Sequence, residues 1–252
     1  MMNPFESKII AHRGESHDAP ENTLASINLA WQRNVKAVEI DIRLTRDNEI
    51  VVIHDSNTQR VSGIKKTIKD TTFDVLKLLD VGSYKGQQWK DERIPTLKQV
   101  LNTIPNDGKL IIEIKSNRKI LYELKRVLSK SGIRFEQIEI IGFNINTLSK
   151  AKKIMPEYRM LWLLNLDYSL PAWLSWVSID GIIKKIEKHN LDGVNVWAGK
   201  LLTKNFISEI KKRGYSIYAW TINDPDKAAL LIKHGLDSIT TDRAGWMLNQ
   251  LK

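Results

Sequence analysis

Cysteine is absent from the 252-residue sequence, which excludes disulfide bonds, thiolate catalysis and cysteine metal sites and leaves the redox state of its compartment open. Glycine and proline are scarce, with 13 and 7 residues, so collagen-like and low-complexity chains are also excluded. A membrane-spanning helix needs roughly 18 consecutive apolar residues. The most apolar segment, residues 161–177, is interrupted by Asn165, Asp167 and Pro171, and we therefore predict no transmembrane segment.

The N-terminal residues lack the features of a targeting signal. MMNPFESKIIAHRG has neither the basic start nor the apolar core of a signal peptide. A core strand is predicted to begin by residue 8, which leaves little room for a leader. These features favour a cytoplasmic protein. The composition, with 42% hydrophobic and 27% charged residues, is that of a globular domain able to bury a core.

Basic residues outnumber acidic ones: 39 Lys and Arg against 29 Asp and Glu give a formal net charge of +10. Such an excess attracts anions, including nucleic acids, acidic membranes and phosphorylated small molecules. The basic runs at residues 65–66, 184–185 and 211–213 are spread along the chain, as is usual for solvated helix faces. Because the sequence has neither a basic arm nor a recognition motif, we predict no nucleic-acid partner.

Segments rich in isoleucine and valine alternate with helical patterns along the whole sequence. The strands predicted from this alternation are residues 8–12, 37–43, 110–115, 138–142, 160–164, 193–196, 216–221 and 238–241. Alternation of this kind predicts parallel strands joined by crossover helices. Eight strand–helix units in 252 residues fit a closed α/β barrel, the (β/α)8 TIM barrel, better than the alternative, an open doubly wound sheet. With no internal linker, residues 1–252 are predicted to form a single domain.

One region departs from the alternation of strands and helices. Residues 50–53 read as an extra strand after the second barrel strand, and a long segment with one short helical pattern, at residues 73–79, follows it. A long segment of this kind inside a compact domain is usually functional or a small subdomain. We therefore predict that residues 50–95 form a small insertion over the barrel mouth, where the active sites of this fold lie.

Three carboxylates are predicted to share the interior face of the barrel. Because side chains alternate along a strand, Glu39 and Asp41 of AVEIDIR point away from its apolar residues, and Glu113 shares a face with Lys115 in LIIEIK. Carboxylates that converge repel one another unless a cation or protons intervene. All-oxygen ligands suit a hard divalent ion. We therefore predict that these three residues hold one divalent cation, Mg²⁺ or Ca²⁺, with salt bridges to Arg43 and Lys115 as the alternative.

Two histidines fall at the ends of predicted strands, His12 in AHRG and His54 in VIHD. The ordinary pKa of histidine, near 6.5, suits proton transfer at neutral pH, so both are candidate acid/base residues. Arg13 follows His12 directly and is a fixed cation able to hold a phosphate through two parallel hydrogen bonds. His189 and His234 are predicted to be surface residues, and His17, in the next loop, is predicted to take no part in the chemistry.

These residues occur in motifs through which the sequence resembles the glycerophosphodiester phosphodiesterase family. The matching segments are AHRGESHDAPENTLASINLA (11–30), VEIDIRLTRDNEIVVIHD (38–55), RIPTLKQVL (93–101), IIEIK (111–115), YAWTIND (218–224) and LDSITTD (236–242). They occur in family order over nearly the whole chain, and HRG…PENT followed by EID…D…HD is highly specific. The resemblance implies a TIM-barrel catalytic domain with residues 50–95 as the family's characteristic insertion.

The resemblance also implies a role for each site residue. His12 and His54 are implied to be the acid/base pair, and Arg13 and Lys115 to be phosphate contacts. The implied metal ligands are Glu39, Asp41 and Glu113. Trp220 is similar to a tryptophan that lines the family's substrate site, with core packing as the alternative.

The implied reaction is metal-dependent hydrolysis of small-molecule glycerophosphodiesters to glycerol 3-phosphate and an alcohol. Two departures bear on what the pocket accepts: residues 15–18 replace a loop that is usually small and glycine-rich, and residues 142–144 lack the family's serine. One alternative is a phospholipase-type enzyme acting on lysolipids, for which the tryptophan-rich segment 162–176 is a candidate membrane-contact patch. Pocket wall and core packing are the other interpretations of this segment, and core packing is favoured. Another is a catalytically silent, anion-binding barrel. The alcohol and the oligomeric state stay open.

Overall fold

The computed structural model describes residues 5–165 and 178–251. The strands are β1 (Ile9–His12), β2 (Ala37–Leu44), β3 (Ile50–Val52), β4 (Lys109–Ile114), β5 (Ile138–Gly142), β6 (Arg159–Leu164), β7 (Gly193–Trp197), β8 (Ser216–Trp220) and β9 (Ser238–Thr241). The α-helices are α1 (Leu24–Gln32), α2 (Gln59–Ser62), α3 (Phe73–Leu76), α4 (Leu97–Leu101), α5 (Ile120–Ser129), α6 (Ile145–Ile154), α7 (Ile179–Lys188), α8 (Lys204–Lys212), α9 (Pro225–Lys233) and α10 (Ala244–Gln250). Short 3₁₀ turns cover Glu6–Lys8, Ile68–Asp70, Gln87–Trp89 and Phe135–Gln137.

Eight of these strands form a closed parallel barrel. Hydrogen bonding runs in the order β1-β2-β4-β5-β6-β7-β8-β9, and β9 pairs with β1 to close the ring. In this register Ile10 lies opposite Ala37 on one side and Thr240 on the other. The remaining strand, β3, runs antiparallel to the end of β2. The predicted TIM barrel is confirmed, and the open sheet is excluded because β1 has partners on both sides.

Strand and helix boundaries follow local sequence signals closely. Each predicted strand boundary lies within one residue of the observed one. Thr23 caps α1 by accepting a hydrogen bond from the Ser26 backbone N–H. The helix predicted over residues 73–79 is shorter than expected and ends at Leu76. Farther along the chain, the Asp80 carboxylate accepts backbone hydrogen bonds from Gly82 and Ser83 and so stabilises a turn in place of further helix.

The side chains of the barrel strands alternate between two packed layers. Val38, Ile40 and Ile42 of β2 are buried in the core between the barrel and its helices. The opposite faces fill the barrel interior with a separate apolar cluster, formed by Ile10, Ala37, Ile111, Ile141, Leu161, Leu163 and Tyr218. The layers follow directly from the two-residue period of a strand, and they leave the alternate carboxylates of β2 and β4 facing inward.

Residues between β3 and α4 build a second, smaller apolar core. Its members are Val51, Ile53, Val61, Ile68, Leu76, Leu79, Val81 and Ile94. This region contacts the loop after β1: the Tyr84 hydroxyl accepts a hydrogen bond from the Glu21 backbone N–H, and the Lys85 ammonium donates to the Ser16 carbonyl at 2.7 Å. The division into one catalytic domain with an insertion at residues 50–95 stays a prediction, and these contacts are consistent with it.

The tryptophan-rich segment predicted as a candidate membrane contact falls largely outside the described residues, since only its first part, up to Asn165, is described. Trp162 donates its indole N–H to the Phe143 carbonyl at 3.0 Å, and the Lys185 ammonium lies 5.5 Å from its ring. Among the described residues, no helix has the length and apolar character needed to cross a membrane. The cytoplasmic location stays a prediction.

Candidate active site

The loop after β1 brings the first site residues to the barrel mouth through an unusual backbone path. Arg13 and Gly14 both have left-handed backbone conformations, with φ of 56° and 80°. A side chain at Gly14 would lie only 2.5 Å from the Ser26 carbonyl carbon, so glycine is required there. This turn directs the Arg13 backbone N–H to Glu39 Oε2 at 3.1 Å, and it thereby fixes the loop to β2.

Three buried carboxylates meet beside this loop, and we call them the carboxylate cluster: Glu39 and Asp41 on β2 and Glu113 on β4. Each offers an oxygen within 4.8 Å of the others. Asp41 and Glu113 are direct partners in the register of the two parallel strands, which explains why residues 72 positions apart meet. The structure therefore brings together all three predicted metal ligands.

Burial and mutual repulsion shift the proton affinities within the cluster. Burial, followed by the charges of its two neighbours, raises the pKa of Glu39 well above its ordinary value. Burial, followed by the charge of Asp41, raises the pKa of Glu113 to about 7. Burial would also raise the pKa of Asp41, but Arg13 and Lys115 outweigh it and lower that pKa. The cluster therefore favours one ionised carboxylate and resists ionising all three unless more positive charge is supplied.

Two cations flank the cluster, and we call Arg13 and Lys115 the cation pair. Arg13 Nε lies 3.2 Å from Asp41 Oδ2. The Lys115 ammonium lies 2.8 Å from Glu113 Oε1 and 3.4 Å from Asp41 Oδ1. The alternative predicted from sequence, salt bridges to Arg43 and Lys115, therefore holds for Lys115 only. Arg43 donates instead to two backbone carbonyls, those of His54 and Lys115.

The carboxylate cluster fits a divalent cation. Its donors are all oxygens, the preferred ligands of Mg²⁺ and Ca²⁺. Asp41 Oδ1 and Glu113 Oε1 are buried and accept no well-aligned hydrogen bond. Three carboxylates face only two cations, so a bound divalent ion would relieve the repulsion that raises the pKa of Glu39 and Glu113.

Both predicted acid/base histidines lie at the mouth, and each is held by a carboxylate. His12 Nδ1 lies 2.6 Å from Asp242 Oδ1, and His54 Nδ1 lies 2.8 Å from Asp55 Oδ1. A carboxylate on Nδ1 orients the ring and leaves Nε2 as the nitrogen for proton transfer. Burial lowers the pKa of His54, which favours its neutral form. The hydrogen bonds from His12, Asn223 and Ser16 outweigh burial and lower the pKa of Asp242 to about 2.

Sequence reasoning missed several residues that hold the predicted ones in place. Asp242 and Asp55 are examples, although both stand in the quoted motifs, at the end of LDSITTD and directly after His54. Asn22 is another: its amide donates to Asp41 Oδ2 at 2.8 Å, and its side-chain carbonyl accepts the Asp41 backbone N–H. Asn22 has φ of 59°, which asparagine tolerates better than most residues. The PENT motif was the available signal.

Arg60 links both sides of the site from the insertion. Its guanidinium donates to both carboxylate oxygens of Glu21, at 2.7 and 2.8 Å, and Glu21 also accepts a 2.9 Å hydrogen bond from Arg13. The third guanidinium nitrogen, Nε, donates a hydrogen bond to Asp55 Oδ2 at 2.7 Å. Arg60 therefore contacts the partner of Arg13 and the partner of His54 at the same time.

Aromatic rings form the opposite wall of the pocket. Trp220 makes edge-to-face contacts with Phe143 and Trp197, with ring centroids 5.7 and 5.1 Å apart. The pocket has a volume of about 160 Å³, and His12, Arg13, His54, Lys115 and Trp220 are among its lining residues. Trp220 also packs against the interior apolar cluster, so it both lines the pocket and packs in the core. An α/β barrel with carboxylates, histidines and cations at its mouth defines the class: a TIM-barrel enzyme.

Comparison with known proteins gives the family. The chain matches the glycerophosphoryl diester phosphodiesterase family over residues 12–246. It is 33% identical to the Bacillus subtilis protein YhdW over 251 residues, covering 97% of this chain and 98% of the relative. It is 32% identical to a glycerophosphodiester phosphodiesterase of Caldanaerobacter subterraneus, covering 98% and 99%. An Oleispira antarctica phosphodiesterase, solved with sn-glycerol 3-phosphate, superimposes with a TM-score of 0.87 at 31% identity, covering 97% and 96%. The chain belongs to the glycerophosphoryl diester phosphodiesterase family and is a phosphodiester hydrolase.

Proposed function

We propose that this enzyme hydrolyses glycerophosphodiesters to glycerol 3-phosphate and an alcohol, with one divalent cation, Mg²⁺ or Ca²⁺, held by the carboxylate cluster. The observation that carries the proposal is the convergence of that cluster, two carboxylate-held histidines and the cation pair on one pocket. The identity of the product is supported by the sn-glycerol 3-phosphate bound to the Oleispira antarctica relative.

The cation pair binds the phosphate. A phosphodiester resists hydrolysis because its negative charge repels an incoming nucleophile. Arg13 offers a planar fork of donors and lies against Asp41 Oδ2, whereas the Lys115 ammonium lies against Asp41 Oδ1, so the two cations flank the same carboxylate. They stabilise the negative charge that grows on the phosphoryl oxygens in the transition state. When bound, the divalent cation adds charge neutralisation and acidifies a coordinated hydroxyl group or water.

The histidines move the protons. His54 acts as the general base, because its lowered pKa keeps it neutral at physiological pH and ready to accept the proton of the nucleophile. His12 acts as the general acid and protonates the oxygen of the leaving alcohol. The carboxylates of Asp242 and Asp55 hold the two rings and stabilise each imidazolium as it forms. Trp220 and Phe143 form the apolar wall against which the carbon atoms of the substrate lie.

The proposal is tested by a substrate panel with exchanged metals. Glycerophosphocholine and glycerophosphoethanolamine should release glycerol 3-phosphate in the presence of Mg²⁺ or Ca²⁺. EDTA should abolish the release, and the added ion should restore it. Full activity in excess chelator would contradict the metal. Faster release of choline from lysophosphatidylcholine micelles than from glycerophosphocholine would favour the lysolipid alternative. No turnover of any substrate with either ion would favour a catalytically silent, anion-binding barrel.

A matched pair of variants locates the ion. Glu113→Gln removes a carboxylate from the cluster, and Glu139→Gln removes a buried carboxylate from the adjacent strand, away from the pocket. Calorimetric titration with the activating ion should show affinity reduced by about tenfold or more in the first variant, since a cluster ligand is lost. It should be unchanged in the second. Equal affinities in both variants would place the ion elsewhere.

A further inference from the structure

A groove of about 560 Å³ adjoins the active-site pocket and shares Lys115 with it. One wall is the end of β2 and the turn that follows, and another is the Ile68–Asp70 turn of the insertion. The third wall is the loop between β4 and α5, residues 115–119. The groove therefore begins at a residue of the cation pair and runs outward between the barrel and the insertion.

The groove is lined by positive charge. Arg43, Arg46, Lys69 and Lys119 line it in addition to Lys115, whereas Asp70 is its one acidic lining residue among those described. Lys69 and Lys119 are exposed, and neither forms an ion pair with a described residue. A concave surface that carries mostly one sign of charge concentrates ligands of the opposite sign. The groove therefore favours an anion of more than one charge.

Arg43 ties the groove to the active site. Its guanidinium donates at 2.9 and 2.7 Å to the carbonyl of His54 and at 3.3 Å to the carbonyl of Lys115. These bonds join the backbone of a proposed catalytic histidine to that of a proposed phosphate ligand. They also fix one positive charge in the wall that separates the pocket from the groove.

The pocket is too small for a whole substrate with a bulky alcohol. Its volume of about 160 Å³ lies below the roughly 300–1,000 Å³ of cavities that enclose a drug-sized ligand. A diester whose phosphate reaches Lys115 must place part of itself outside the pocket, and the groove starts at that lysine.

We propose that the groove is a subsite for the alcohol half of the substrate and selects alcohols that carry a phosphate group of their own. This inference rests on the proposed function. A phosphate monoester brings close to two negative charges and three acceptor oxygens, which match the unpaired lysines and the arginines better than a choline or ethanolamine cation does. The enzyme therefore prefers diesters with a phosphorylated alcohol.

The test compares two substrates that differ by one phosphate: glycerophosphoglycerol and the same diester with a phosphate on its terminal hydroxyl. Wild-type enzyme should show kcat/KM about fivefold or more higher for the phosphorylated diester, the scale expected of a few exposed ion pairs. Equal values for the two substrates, or a higher value for the neutral alcohol, would overturn the groove as a phosphate subsite.

Variants separate the groove from the overall charge of the protein. Lys69→Gln with Lys119→Gln removes two charges from the groove, and Lys204→Gln with Lys233→Gln removes two exposed charges on helices that follow β7 and β8, across the barrel. The preference should fall about fivefold in the first variant and persist in the second. A similar loss in both would show that the net charge of +10 steers anions at long range, and it would overturn the subsite.

A binding measurement distinguishes failure of the groove from failure of the proposed function. If neither diester is hydrolysed, the proposed reaction is contradicted, and calorimetric titration of both diesters into the wild-type protein still tests the groove. The phosphorylated diester should bind about fivefold more tightly than the unphosphorylated one. This difference in affinity should disappear in the variant that combines Lys69→Gln with Lys119→Gln. Equal affinities in the wild-type protein would overturn the subsite, whatever the enzyme hydrolyses.

Discussion

Buried carboxylates lie at both ends of the barrel interior, and the two ends balance charge differently. Near the amino ends of the strands, Glu139 of β5 is 1% exposed. It accepts a 3.1 Å hydrogen bond from the Tyr218 hydroxyl, and the Lys109 ammonium lies 3.7 Å away. One carboxylate thus faces one cation and one neutral donor. This end of a TIM barrel serves stability.

At the carboxyl ends of the strands the charges do not cancel. The carboxylate cluster has three acids against the cation pair, and burial together with Asp41 raises the pKa of Glu113 to about 7. Repulsion of this kind is unfavourable for folding, and a bound cation would relieve it. The comparison separates two arrangements of buried carboxylates: one whose charge is balanced by its neighbours, and one whose unbalanced charge suits it to bind a cation.

Loss of the acid/base pair should have the largest effect. His54→Ala and His12→Ala should each lower kcat by roughly 10² or more, the usual contribution of general acid/base catalysis. Steady-state assays with glycerophosphocholine measure this, and thermal unfolding checks that the fold survives. Near-normal turnover in either variant would remove that histidine from the mechanism. It would also weaken the claim that the carboxyl ends of the strands form the catalytic site.

Removal of the Arg60 side chain, which bridges Glu21 and Asp55, should have a smaller effect. Arg60→Ala removes the bonds to Glu21 and Asp55, so both Arg13 and His54 lose a support, and kcat/KM should fall about tenfold. Arg60→Lys keeps the positive charge but loses the planar guanidinium, so its kcat/KM should lie between those of Arg60→Ala and the wild-type enzyme.

The matched control is Arg93→Ala, since Arg93 of the same insertion pairs with Asp91, outside the pocket. An Arg60→Ala enzyme as active as the Arg93→Ala enzyme would show that the bridge does not position the site.

The pKa of Glu113 predicts how the metal-free protein responds to pH. Its folded value of about 7 exceeds the ordinary 4.5, so the folded state binds this proton more tightly than the unfolded chain does. The stabilisation from protonated Glu113 is therefore complete below the unfolded value and is lost as pH rises through the folded value. From about pH 5 to about pH 8, wild-type protein should lose up to roughly 3 kcal/mol of unfolding free energy relative to Glu113→Gln.

Denaturant unfolding at a series of pH values, with chelator present, measures this difference. Adding the activating ion should reverse the trend, because the ion binds the ionised carboxylates. A wild-type slope equal to that of Glu113→Gln would show that repulsion in the cluster does not act on stability.

Strand periodicity made the cluster predictable, because parity alone places Glu39 and Asp41 inward and the parallel register then sets Asp41 beside Glu113. Long-range partners were not predictable in the same way. Asp242 reaches His12 across 230 positions only because β9 closes the barrel on β1. Arg60 reaches its partners through an insertion with its own small core, whose path no periodicity describes.

Loss of the Tyr218 hydroxyl should have the smallest effect on activity and ion binding, and it tests the balanced end of the barrel. Tyr218→Phe deprives the buried Glu139 carboxylate of its neutral donor, which should lower the unfolding free energy by about 1–3 kcal/mol. The control is Tyr158→Phe, which removes another hydroxyl from a buried tyrosine and should change stability by less. Because the interior apolar cluster separates Glu139 from the pocket, kcat, KM and the affinity for the divalent ion should stay within about twofold of wild type. Urea unfolding measures the free energy of unfolding, steady-state kinetics measure kcat and KM, and calorimetry measures the affinity for the ion. If Tyr218→Phe weakened metal binding by tenfold while leaving stability unchanged, the two ends would be one coupled electrostatic system, and the division between a structural and a functional carboxylate site would be wrong.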